Sequence, residues 1–513
     1  MPNNNLVKLV RRATLVTSLF GSFLFQDPND LATKIRQRLS QKGISVPQIV
    51  LPSPSPEGDK LLESGELTRS VEHYDASGWF GKLRSKKIRS QAAELDLPIC
   101  PSTEIPATSD DVRILFYLTN SKPYTNSGYT ERTQHILEGL QQGGIQVRGA
   151  TRLGYPVVIG NFPLEEASII AGVQYKHLLP SFYPSDKLRQ LELAVQMLVA
   201  EAKDFGATIL HTTTDFKNAI VVSHAAERLG IPWIYETRGE LEKTWLSKRP
   251  PSLKPHAEKS EYFLKAQFKE NEAMQRAAAV FALSVVSKEQ AVRRGIEADK
   301  IHVIPNAISE SELERSFDRK KIREQLNLPP GKLIGAITSL VGYEGLDDLL
   351  RAVTMLSDVN CLIVGDGESR RELEDLTTEL GISDRVRFVG RQDSSTIWQW
   401  YATLDVMVVP RKNLEVTRTV TPIKTLLAQA LGTPVVASDL PALKEVTGGL
   451  AVYSVPENPE SLAVAINEVL MMDEPSLEYL AQRGRAWVRT RTWSRNVEAL
   501  ARIYKSDVQE PEE

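Results

Sequence analysis

Arg411 and Lys424 are two cations whose placement points to one chemistry. The stretch from Val406 to Val446 reads VMVVPRKNLEVTRTVTPIKTLLAQALGTPVVASDLPALKEV. VMVV has the composition of a buried strand and ends in Pro410-Arg411. A polar loop then leads to Thr421-Pro422, an apolar helical pattern closes at Gly432, and PVVAS reads as the next strand. Thr is a good N-cap and Pro suits the first helical position, so the helix is expected to start at Thr421. Lys424 then falls in the first turn, where the macrodipole makes a cation locally unfavourable. An anion on that helix terminus, most simply a phosphate shared with Arg411, removes the conflict. A solvated Lys beside a loop Arg is the other reading of these residues alone.

Other groups fall at similar places. Glu236 and Arg238 end the apolar run PWIYE, where an α/β sheet presents ligand groups; a salt bridge between the two accounts for them equally well. Gly128 lies in a strand-to-helix loop, where the lack of a side chain lets the backbone approach a ligand. Gly365 and Gly367 repeat that pattern after CLIV, although a tight turn explains a lone Gly-x-Gly as well.

The elements that must position these residues are legible as alternation. Of 513 residues, 42% are hydrophobic and 25% charged, the profile of an ordinary globular protein. The net charge of -3 gives no global pull toward nucleic acid or an acidic membrane, so any basic site is local. The two cysteines, Cys100 and Cys361, show neither metal spacing nor a disulfide framework, which fits a reducing compartment. From Val112 onward strands alternate with helices, the signature of parallel sheets covered on both faces. Four segments are expected: an irregular N-terminal extension over 1–109, α/β domains over 110–308 and 309–474, and a helical tail over 475–513 that packs back on the body. Two doubly wound domains in tandem imply a ligand cleft between them. Within the extension, a helix is expected over 30–41. The apolar run after Lys8, Arg11 and Arg12 is shorter than the ~20 residues of a membrane span and lacks a cleavage site. That run, over 8–25, and the basic-aromatic cluster over 79–89 are candidates for peripheral contact with anionic lipid; packing on the body and a solvated helix face are the simpler alternatives.

With these motifs in order, the chain resembles a retaining glycosyltransferase of the GT-B class, in the family-four group. The resemblance runs from residue 112 to about 504. It rests on SGYTERTQHILEGLQQGGIQV, TRLGYP, HTTTDFKNA, GIPWIYETRGELEKTW, SVVSKEQAVRRG and VIPNAI, then SLVGYEGLDDLL, LIVGDGESRRELE, VRFVGR, VPRKNLEVTRTVTPIK and LGTPVVASDLPAL. It implies a nucleotide-sugar donor held by the C-terminal domain, with Ser339, Gly365, Gly367, Gly390, Thr421 and Leu427 at the donor site, and Gly128, Arg132, Glu236 and Arg238 on the acceptor side. Many members carry an Arg and a Lys for the diphosphate where this chain has Ser339 and Glu344, and the subgroup with a Ser-Leu-x-x-Tyr-Glu-Gly loop leaves that work to Arg411 and Lys424. The family's paired glutamates are missing: the first lies around Arg418 or Thr419, and the second, which holds the ribose, aligns with Leu427. Glu415 is the loop carboxylate that could stand in.

The resemblance implies transfer of a sugar to an acceptor hydroxyl with retention of configuration, in cell-surface glycan or glycoconjugate synthesis. Arg411 and Lys424 would be the catalytic cations. The acceptor would be a glycan or a lipid-linked precursor, the location the cytoplasm or the inner face of the membrane. No cofactor, metal or nucleic-acid partner is implied, since no Asp-x-Asp element or His cluster stands in a suitable loop. The alternative is a non-catalytic GT-B scaffold whose donor site has decayed.

Overall fold

The structure is a computed structural model and describes residues 12–19, 21, 36, 52–106, 111–163 and 165–505. All of the helix expected over 30–41 except residue 36, which is helical, and much of the 8–25 run lie outside the described residues; 12–19 are helical. The chain divides into two compact units: Met1–Phe281 with Ile296–Ile301 and Ala501–Glu513, and Ala282–Gly295 with His302–Leu500.

The first unit is built on β1 (Arg113–Leu118), β2 (Gln146–Thr151), β3 (Ala167–Ile170), β4 (Val173–Lys176), β5 (Ile209–Thr213), β6 (Trp233–Thr237), β7 (Ala279–Ala282) and β8 (Ile301–Val303). Their order in the sheet is β3-β4-β2-β1-β5-β6-β7-β8. β1 pairs in parallel with both β2 and β5, and RILFYL is almost wholly buried, as a strand covered on both faces must be. β3 and β4 form an antiparallel edge hairpin, a departure from the all-parallel expectation.

Three helices, Pro56–Ser64, Leu67–Asp75 and Gly78–Asp96, precede this sheet. The expectation of an irregular extension is corrected over residues 56–96, which are largely helical. Leu61, Leu67, Val71, Tyr74, Ile88 and Leu95 are all buried, at helical spacing on consecutive helices. Residues 97–102 then lie against the sheet: Trp233 donates its indole N–H to Cys100 O at 3.2 Å and its amide to Ser102 Oγ at 2.8 Å.

The second unit carries β9 (Lys332–Ile337), β10 (Val359–Val364), β11 (Val386–Gly390), β12 (Val406–Val409), β13 (Val435–Ser438) and β14 (Val452–Ser454) in the order β11-β10-β9-β12-β13-β14. Along β9, Ile334 and Ala336 enter one apolar core while Leu333 and Ile337 enter the other, so both faces are covered. The strand order reverses between β9 and β12. In a doubly wound sheet, that switch point is where the loops beyond the strands diverge and leave room for a ligand. The helices Glu474–Val488 and Trp493–Tyr504 end the described chain.

Trp233 is fully buried and also fastens residues 97–102. Trp233→Ala is expected to cost the first unit about 3–5 kcal/mol, read from the urea midpoint of its unfolding transition.

Candidate functional site

The two sides of the β9/β12 switch point are joined by one carboxylate. Glu344 lies in the loop after β9, in a short 3-10 turn, and is 4% exposed. Arg411 follows β12, is 6% exposed, and donates from Nη2 to Glu344 Oε1 at 2.9 Å and from Nε to Oε2 at 3.4 Å. Lys424 Nζ reaches Glu344 Oε2 at 2.8 Å and also donates to Thr338 Oγ1. Burial alone would raise the Glu344 pKa, but Arg411 and Lys424 hold it down to about 2. Burial draws the Lys424 ammonium down to about 8, against the attraction of Glu344 and with the repulsion of Arg411. The structure thus brings together the two cations singled out in the sequence and adds a carboxylate that is visible in the sequence only as a missing cation.

The helix behind them begins later than expected. It spans Lys424–Ala430, seven residues, and Thr421 does not cap it: its buried hydroxyl makes no hydrogen bond among the described residues. Side chains hold the backbone carbonyls around Thr421, and among them is Thr421 O, the one that would open a helix there. Ser287 Oγ donates to Thr419 O at 3.0 Å, Arg411 Nη1 to Val420 O at 2.8 Å, and Asn306 Nδ2 to Thr421 O at 2.9 Å. The helix start expected at Thr421 is therefore corrected to Lys424, whose ammonium is held by side chains of the β9 loop. Leu427 packs half-buried against the core behind β12. Glu415 is exposed and accepts from Gln290 Nε2 at 3.0 Å.

The glycines have a backbone explanation. Gly365 has φ +137°, and a side chain there would run into Thr338 O; at Gly367 it would run into Leu340 O. Both therefore serve the crossing of the β10 loop over the β9 loop, where their N–H and C=O groups also pair: Leu340 N–H to Asp366 O at 3.1 Å and Ser369 N–H to Leu340 O at 3.0 Å. Ser339 stands exposed on the same loop.

In the first unit Arg132, Glu236 and Arg238 also come together, as a buried cluster. Arg132 Nε lies 2.7 Å from Glu236 Oε1, and Arg238 Nη2 2.5 Å from Oε2. The salt bridge weighed above as the alternative is present, and Arg132 joins it. Arg238 Nη1 also donates to Tyr129 O at 2.9 Å and Thr133 Oγ1 at 2.6 Å, which ties the Gly128–Gln142 helix to the end of β6. Burial opposes the Glu236 charge, yet Arg238, Arg132 and His211 hold its carboxyl well below the usual range. His211, missed in the sequence, lies 3.5 Å from Glu236 and bonds Tyr504 Oη through Nδ1 at 2.5 Å. Its one signal was a polar ring inside the apolar run ATILH. Gly128 is the exposed first residue of its helix, whose N-terminus is closed by a Ser127–Thr130 capping box.

Residues 127–307 match the family model described as glycosyl transferase 4-like domain, and residues 318–487 match that of glycosyl transferases group 1. An uncharacterized glycosyltransferase of Methanocaldococcus jannaschii is 30% identical over 219 residues, 40% of this chain and 54% of that protein. The chain spans about half the length of the curated relatives it matches. Among solved structures, sucrose-phosphate synthase from Thermosynechococcus elongatus aligns at a TM-score of 0.62 and 20% identity, over 77% of this chain and 98% of that one. Anabaena HepE in complex with UDP aligns at 0.60 and 19% identity, over 77% of this chain and 100% of that one. At such identities the likeness shows the fold, two Rossmann-like domains of GT-B type.

Glu344→Gln leaves two buried cations without their shared carboxylate. It is expected to destabilise the second unit by about 3 kcal/mol, measured by chemical unfolding against the wild type.

Proposed function

The chain belongs to the group-1, 4-like glycosyltransferases, and from that premise we propose that it transfers a sugar from a nucleoside-diphosphate sugar to an acceptor hydroxyl with retention of configuration. The observation that carries this reading is the convergence of Arg411 and Lys424 on Glu344 at the β9/β12 switch point. Two cations against one carboxylate leave positive charge uncompensated, and a diphosphate supplies the missing anion. Glu344 holds both cations before the donor arrives, so little reorganisation is left for the reaction itself.

As the bond from the anomeric carbon to the diphosphate breaks, negative charge grows on the departing phosphate. Arg411 and Lys424 stabilise it there, and the phosphate oxygen takes the proton of the attacking acceptor hydroxyl, so no carboxylate nucleophile is needed. Ser339, Gly365 and Gly367 lie in loops that leave the carboxyl ends of β9 and β10, and Gly390 ends β11, on the side of a doubly wound sheet that receives nucleotides. Arg132, Glu236 and Arg238 act by fixing the helix that begins at Gly128, on the acceptor side. A solved neighbour of the same fold, Anabaena HepE, holds UDP-glucose, which supports a nucleotide-sugar donor class.

A glycan or lipid-linked acceptor, in cell-surface glycan synthesis at the inner face of the membrane, completes the reading. On the Gly78–Asp96 helix Trp79 and Phe80 are largely exposed beside exposed Lys82 and Lys86, which suits peripheral contact with anionic lipid. Among the described residues no helix is long and apolar enough to cross a membrane.

One observation favours a second reading, a non-catalytic scaffold: Arg411 and Lys424 are already paired, and Leu427 packs on the core where a ribose-binding carboxylate would stand. Calorimetric titration with UDP, GDP and ADP separates the two. Binding of one nucleotide supports the donor site, and heat from none of them supports the scaffold.

Arg411→Ala and Lys424→Ala are each expected to lower transfer about a hundredfold, or ~3 kcal/mol, in single-turnover assays on variants of wild-type circular dichroism. Unchanged turnover in both overturns the assignment. Only the protonated Lys424 attracts phosphate, so nucleotide affinity should fall as pH rises through about 8. Lys424→Arg, which keeps its charge, should lose that dependence.

A further inference from the structure

Away from the switch point, three side chains of the first unit converge on a space the size of an ion. The Phe216–Leu229 helix carries His224 and Glu227 three residues apart on one face. Residues 97–102, entering from the Gly78–Asp96 helix, lay Cys100 against that face. Its Sγ is 3.4 Å from His224 Nδ1 and 3.3 Å from Glu227 Oε2, and the three ligand atoms all lie within 4.8 Å of one another. A tetrahedral zinc ion, with bonds of about 2.3 Å to sulfur and about 2.0–2.2 Å to nitrogen and oxygen, sets its ligands roughly 3.5 Å apart.

A second feature concerns the histidine. His224 Nε2 is 3.1 Å from Pro98 O. A carbonyl only accepts, so Nε2 carries the ring proton and Nδ1 turns its lone pair toward Cys100 and Glu227. Metal-bound histidines are oriented in this way, by a hydrogen bond from the distal nitrogen. The cysteine is held as firmly. Cys100 N–H donates to Ser223 Oγ at 3.2 Å, and Trp233 Nε1 donates to Cys100 O at 3.2 Å. Cys100 is buried, His224 half-buried and Glu227 exposed, so the cluster opens to solvent on one side. That opening admits an ion and leaves a position for a water as fourth ligand.

We propose that Cys100, His224 and Glu227 bind a divalent transition-metal ion, with zinc the best match to the sulfur, nitrogen and oxygen set, and that the ion staples residues 97–102 to the Phe216–Leu229 helix. On binding, the Cys100 thiol releases its proton to solvent and the thiolate sulfur bonds the metal, while His224 stays neutral and Glu227 ionised. The site stands apart from the transfer chemistry and does not rest on it. It also shows why the cysteines carry no metal spacing in the sequence: 124 residues separate Cys100 from His224, and only the fold closes the gap.

The test uses the full-length protein without an affinity tag, kept reduced, stripped with a chelator, dialysed, and titrated with zinc or cobalt(II). Elemental analysis should find one ion per chain. The cobalt form should show a thiolate-to-metal charge-transfer band, and zinc should raise Tm. Cys100→Ser should lose the band, and His224→Ala the stoichiometric ion and the zinc-dependent rise in Tm. Glu227→Ala should bind more weakly. His224 and Glu227 are both partly open to solvent, so their variants keep the test readable if Cys100→Ser does not fold. A stripped wild type that takes up no zinc, or a His224→Ala variant with wild-type stoichiometry and band, overturns the proposal.

Discussion

A carboxylate taken out of water has to be met by cations, and this chain meets that constraint at strand ends in both units. Glu236 is flanked by Arg132 and Arg238, and Glu344 by Arg411 and Lys424. Neither arrangement adds much net stability, because desolvation offsets most of the Coulombic gain. What each fixes is geometry. Glu236 sets a helix against a strand, while Glu344 sets the loop after β9 against the turn after β12. Neighbouring features follow from the second pair. Gly345, at φ +69°, has no room for a side chain, which would run into Pro410 O, and Arg411 also holds the carbonyl of Val420.

The same constraint separates what a residue is from what it does. Arg411 and Lys424 are cations near a ligand-accepting end of a sheet, yet at rest they serve a protein carboxylate. A site preorganised in this way holds its donors at fixed positions, and a diphosphate arriving there meets charges already aimed and partly desolvated. The glycines of the β10 loop contribute to the same end by letting one loop lie directly across another.

Much of this was legible in the chain itself. VRILFYL, CLIVG and VMVV announced buried parallel strands because a strand covered on both faces must be apolar throughout, and the ordered glycine and proline punctuation placed the helices between them. The pairing of Arg411 with Lys424 was legible from their spacing around one loop. Other features were not. The β3–β4 hairpin has only four residues per strand, and β3 is largely half-exposed without alternation. Thr421-Pro422 has the local chemistry of a helix start, but Asn306 takes the Thr421 carbonyl, and no local pattern records a partner more than a hundred residues away. Glu344, His211 and the Cys100 cluster were hidden for the same reason.

Tyr504 shows how far such distances reach. Its hydroxyl bonds His211 across 293 positions of sequence, and both belong to the first unit. During synthesis the sheet around β5 is complete long before that tyrosine exists. The imidazole beneath Glu236 must therefore wait, its hydrogen-bonding partner absent, while the ribosome makes the whole of the second unit. The first unit is in this respect finished only after the second has been made, and a chain lacking Tyr504 would carry an unsatisfied polar group at the centre of an otherwise assembled fold.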